Sequence, residues 1–66
     1  MNIQEIKDRL PNVKIKTVDG RIISAHLSGR NLPFAKVSSP TWGNFGFDVS
    51  WETIERCINN DKPIIL

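Results

Sequence analysis

The stretch Val13–Leu27, VKIKTVDGRIISAHL, decides how this chain folds. It holds two runs of alternating apolar and polar residues on either side of an Asp19-Gly20 turn signal. The side chains fix the length of the turn. A two-residue Asp19-Gly20 loop would set Val18 opposite Arg21 and Ile15 opposite Ser24, leaving both faces of the ribbon mixed. A three-residue Val18-Asp19-Gly20 loop sets Thr17 opposite Arg21, Ile15 opposite Ile23 and Val13 opposite Ala25. Val13, Ile15, Thr17, Ile23, Ala25 and Leu27 then share one face, and Lys14, Lys16, Ile22, Ser24 and His26 share the other. A slip of one residue turns every side chain of a strand over, so the segregated register is the one expected. Gly20 takes the left-handed position that closes such a loop with a bulge.

Before the hairpin, Asn2 reads as a helix N-cap with Glu5 three residues on, and Ile3, Ile6 and Leu10 fall on one side at helical spacing. Pro11 ends that helix by disfavouring helical geometry at Leu10. Two turns do not persist alone, so the apolar stripe must lie on the sheet. After the hairpin, Ser28-Gly29-Arg30-Asn31 is a turn and Leu32–Val37 a third strand, with Pro33 at its start where no ladder N–H is needed. Ser38–Thr41 is a further turn. Asn44–Val49 alternates, with Phe45, Phe47 and Val49 on one side, as a fourth strand antiparallel to the third.

Ser50 caps a second helix, whose buried stripe is Trp51, Ile54 and Ile58 with Cys57 beside them. Asn59-Asn60-Asp61 and Pro63 end it, and Lys62–Leu66 forms a closing strand. The expected fold is α+β, in the order α-β-β-β-β-α-β: a small, partly open β-barrel of SH3-like kind. Sixty-six residues make one domain, residues 1–66, with a thin core.

The hairpin resembles the first motif of Sm-like RNA-binding proteins, through Val13, Ile15, Asp19-Gly20-Arg21 and Leu27. Those proteins also begin with a short helix. Ala25 stands where that family has a bend-forming glycine, Asn31 where it has an acidic residue, and Ala35 where it has a base-contacting asparagine. The family's second, Arg-Gly motif has no counterpart. The resemblance implies barrel topology and leaves RNA contact to be argued from the surface.

Composition narrows the functional classes. Hydrophobic residues at 39% and charged residues at 24% describe a globule rather than a disordered tail. The longest apolar run, Ile64-Ile65-Leu66, cannot span a membrane, and the charged MNIQEIKDRL start does not read as an export signal. Cys57 stands alone, so a reducing, cytoplasmic setting is expected. The single histidine, His26, belongs to the solvent face beside Lys14, and Cys57 reads as a small core residue. With no nucleophile–base pair, no metal-ligand spacing and no phosphate-binding glycine loop, neither an enzyme nor a cofactor is expected.

Two binding classes remain. The formal charge is +2, but residues 13–47 carry +4 and residues 48–66 carry −2. Lys14, Lys16, Arg21, Arg30 and Lys36 could track a phosphate backbone with little sequence preference. The alternative is a protein-interaction module, self-association included, using Trp42, Phe34 and the loop around Arg30. The terminal strand Ile64-Ile65-Leu66 could also extend a neighbour's sheet.

Overall fold

The computed structural model describes residues 1–39 and 46–65. Helix α1 (Ile3–Arg9) starts where Asn2 Oδ1 accepts the Glu5 N–H at 2.8 Å, satisfying a donor that the first turn leaves open. It stops at Leu10, whose N–H still reaches the Ile6 carbonyl at 2.6 Å although its φ is 44°. A branched residue is uncomfortable there. Pro11 bars the helix from continuing, and the left-handed turn keeps the Leu10 side chain against the core.

Strands β1 (Val13–Lys16) and β2 (Ile22–Ser28) pair antiparallel, with Val13 opposite Ala25 and Ile15 opposite Ile23. This is the register of the three-residue loop. Thr17 N–H donates to the Arg21 carbonyl at 2.8 Å, Gly20 N–H donates to the Thr17 carbonyl at 3.0 Å, and Gly20 has φ 87°. Val13, Ile15, Ala25 and Leu27 are buried, while Lys14, Lys16, Ile22, Ser24 and His26 face water. The alternation read from the sequence is the alternation of the sheet.

Strand β2 divides its neighbours. Residues 22–25 pair with β1, and residues 26–28 pair with β3 (Phe34–Ser38). Passing from one partner to the next along one strand accompanies a curl, and the five-stranded sheet forms a half-barrel. Strand β3 begins two residues later than expected because the preceding turn is longer. Leu32 N–H donates to the Gly29 carbonyl at 2.9 Å, which leaves Leu32 and Pro33 outside the ladder. Gly29 has φ 84°, and a Cβ there would stand 3.1 Å from the Phe34 carbonyl oxygen, so only glycine suits the turn.

Strand β4 (Gly46–Ser50) lies antiparallel to β3, as the alternation implied. Phe47 and Val49 share the inner face, opposite Val37 and Ala35, yet Phe47 stays 42% exposed at that edge. Residues 44 and 45, the expected start of this strand, lie outside the described residues. Helix α2 (Trp51–Asn59) is capped by the Ser50 hydroxyl, which accepts the Thr53 N–H at 3.3 Å. It ends with Lys62 N–H on the Cys57 carbonyl and Asp61 N–H on the Ile58 carbonyl, a Schellman arrangement with Asp61 (φ 51°) in the place glycine usually takes. Strand β5 (Ile64–Ile65) then joins the sheet beside β1, parallel to it, giving the order β4-β3-β2-β1-β5.

The core lies inside the curl. Ile6 of α1, Ile15 of β1, Val37 of β3 and Ile54 of α2 are fully buried there. Trp51 is buried as well; its indole N–H donates to the Leu32 carbonyl at 3.1 Å, and the Lys7 ammonium sits 5.2 Å from its ring. Removing these side chains from water is what holds so short a helix as α1 in place.

Candidate docking face

The cations named from sequence do not form one continuous strip. Lys14, Lys16 and Lys36 point outward from β1 and β3, on the face where His26 also lies. The arginines are tied elsewhere. Arg21 Nε pairs with Asp19 Oδ2 at 2.8 Å in the hairpin turn, and Arg30 Nη2 reaches Asp8 Oδ1 of α1 at 3.0 Å. Lys14 Nζ meets Asp61 Oδ1 at 3.3 Å. Such exposed pairs add little to stability, but they cancel the local field that would draw a phosphate. Among the described residues, Lys16 and Lys36 have no carboxylate at ion-pair distance, although Lys36 stands opposite Asp48 in the β3–β4 ladder.

The loop set is also held internally. Arg30 fastens the Gly29–Leu32 turn to α1, and the Leu32 carbonyl takes the Trp51 indole N–H. Phe34 is half-buried opposite Ser50. Trp42 lies outside the described residues. The segment around Arg30 is thus a stitched corner joining sheet to helices. Sequence composition alone, with its turn residues and cation, could not show that.

Sequence reasoning did not assemble a different group. In β1–β5 pairing Lys16 stands opposite Ile65, and in β1–β2 pairing it stands opposite Ile22. The three make one row across three strands, Ile65–Lys16–Ile22, on the outer face. Ile65 is 77% exposed, Ile22 60%, and Val18 in the adjacent turn 100%. Ile22 was legible as an outward residue. Its meeting with Ile65 required the parallel placement of β5, which no local pattern encodes. Scattered exposed apolar residues need no explanation, but aliphatic side chains gathered around a lysine with no ion-pair partner among the described residues are a different matter.

The turn beside the row is firmly built. The Thr17 hydroxyl donates to Asp19 Oδ1, and Arg21 Nε donates to Oδ2. The hydroxyl hydrogen bond first, and the Arg21 charge after it, hold the Asp19 carboxyl below its ordinary range.

Catalytic geometry is another matter. His26 Nδ1 lies 3.1 Å from Asn12 Oδ1 on the exposed face. Cys57 borders a shallow cleft of about 120 Å³ with Asn12, Lys14 and Lys62, smaller than an ordinary ligand pocket. Among the described residues there is no group of three or more His, Cys, Asp or Glu that could hold a metal ion. No described helix is long and apolar enough to cross a membrane. Set against known proteins, the chain matches no family model, no curated protein and no solved structure.

Proposed function

We propose that this chain is a non-enzymatic protein-interaction module that receives an acidic, apolar segment of a partner on the outer face of β5, β1 and β2. The observation that carries this reading is the Ile65–Lys16–Ile22 row, with both isoleucines more than half exposed. Covering an aliphatic side chain fully is worth about 1.5–3 kcal/mol, and a carboxylate over Lys16 adds direction more than strength. An acidic partner is favoured over a second copy, because a two-fold contact through this face would bring Lys16 toward its own symmetry mate. The Asp-Gly hairpin and the curled sheet support a kinship with SH3-like small barrels, and the free thiol of Cys57 suits a cytoplasmic setting.

Nucleic-acid contact is the second reading, favoured by the shared outward aspect of Lys14, Lys16 and Lys36. Two or three phosphates neutralised on a single strand give a log–log salt slope of only about −1.4 to −2.1, which describes weak binding. An amide chemical-shift titration separates the two. A flexible acidic peptide with leucines spaced on either side of a glutamate, so that all three can share one face, should shift Lys16, Ile22 and Ile65 at both low and moderate salt, whereas a short single-stranded oligonucleotide should leave them unmoved. Oligonucleotide shifts at Lys14, Lys16 and Lys36 that fade with salt, without any response to the peptide, would replace the protein reading with the nucleic-acid one.

A further inference from the structure

From the spacing of the row we infer that the segment docking on this face is an amphipathic helix lying across the strands, with an acidic residue between two apolar ones. This rests on the docking reading above and adds the shape of the partner. Neighbouring strands run about 4.8 Å apart, so Ile65, Lys16 and Ile22 stand at successive steps of about 4.8 Å, with about 10 Å between the isoleucines. An α-helix rises about 1.5 Å per residue, so residues i and i+7 on one face lie about 10.5 Å apart and i+3 or i+4 falls midway. Apolar side chains at i and i+7 therefore reach the two isoleucines while a Glu or Asp at i+3 or i+4 reaches Lys16. An extended strand places same-face residues about 6.8 Å apart and cannot meet all three in step.

The neighbouring groups agree with this occupant. Lys14 lies one pleat further along β1 and is already matched by Asp61. Lys16 has no carboxylate at ion-pair distance among the described residues, so the centre of the row is where an incoming negative charge gains most. Val18 in the turn, fully exposed, extends the apolar ground at the same end of the sheet.

The test uses two lactam-stapled helical peptides with Leu at i and i+7, one with Glu at i+4 and one with Lys there. An unstapled peptide with leucine, glutamate and leucine at alternate positions, which share one face of an extended chain, and held extended by flanking prolines, is the third probe. Binding is followed by fluorescence anisotropy and amide shifts on the whole chain. The Glu helix should shift Lys16, Ile22 and Ile65 and bind more tightly than the Lys helix by about two- to fivefold, the range of an exposed ion pair. Lys16→Glu, with an unchanged circular dichroism spectrum, should reverse that preference.

If the extended peptide occupies the row and the helices do not, the helical inference fails while the docking reading stands. If none of the three moves the row, both fail. Equal binding of the Glu and Lys helices, or no reversal in the Lys16→Glu variant, overturns the assigned role of Lys16.

Discussion

Two rows of three residues cross the same three strands one position apart. Ile64–Ile15–Ile23 runs along the inner face, and Ile65–Lys16–Ile22 along the outer. Both contain β-branched residues suited to strands, so propensity does not tell them apart. Burial does. Ile15 and Ile64 are inside the core and Ile23 packs against it, while Ile65 and Ile22 stand in water around a lysine. The inner row accounts for the fold, and the outer row holds apolar surface that the fold leaves unused. A protein of this length has only about 3–10 kcal/mol of stability, so apolar residues left outside the core are conspicuous.

The sharpest way to widen that contrast is to cut into the inner row. Ile15 is fully buried between β2, β5 and the helices, so Ile15→Ala should lower stability by about 2–5 kcal/mol and leave the chain partly unfolded at room temperature. Urea denaturation followed by tryptophan fluorescence measures it, because Trp51 is buried in the same core.

The next lever is the turn that assigns residues to rows. Gly20 has φ 87° with no atom within 4 Å of a would-be Cβ, so Gly20→Ala meets backbone strain alone. A loss of about 1–2 kcal/mol is expected, with the β1–β2 register intact in cross-strand amide exchange. A slipped register would instead turn β2 over against β1, mix the two rows and abolish the contrast.

The smallest expected effect is electrostatic and lies in the same turn. Asp19 titrates below its ordinary range because the Thr17 hydroxyl, and then Arg21, favour the carboxylate. A depressed folded value means that the contribution is present above the unfolded value near 3.8 and is lost as pH falls through the lower folded one. Carboxyl carbon shifts should report this midpoint below 3.8 in the native chain and nearer to 3.8 in Thr17→Val.

What the sequence disclosed was what local chemistry encodes. The Val18-Asp19-Gly20 loop, the Asn2 and Ser50 caps and the outward aspect of Lys14, Lys16 and Ile22 all follow from neighbours in the chain. What it concealed depends on distant partners. Ile65 joins Lys16 only because β5 returns beside β1, forty-nine positions from its ladder partner. Arg30 looked available for binding until Asp8 of α1 met it, and the corner it occupies is closed by an indole N–H from α2. Leu10 and Asp61 adopt left-handed geometry that neither side chain prefers, because helix ends and packing impose it.

The claim on which the account rests is that the outer row serves contact rather than stability. Urea denaturation of the Ile22→Ser/Ile65→Ser double variant tests it most directly. The expected result is a stability within about 1 kcal/mol of the parent chain, as for exposed positions. A loss approaching that of Ile15→Ala would contradict it, showing that both isoleucines belong to the packing of the fold and that the outer face has no apolar surface to spare.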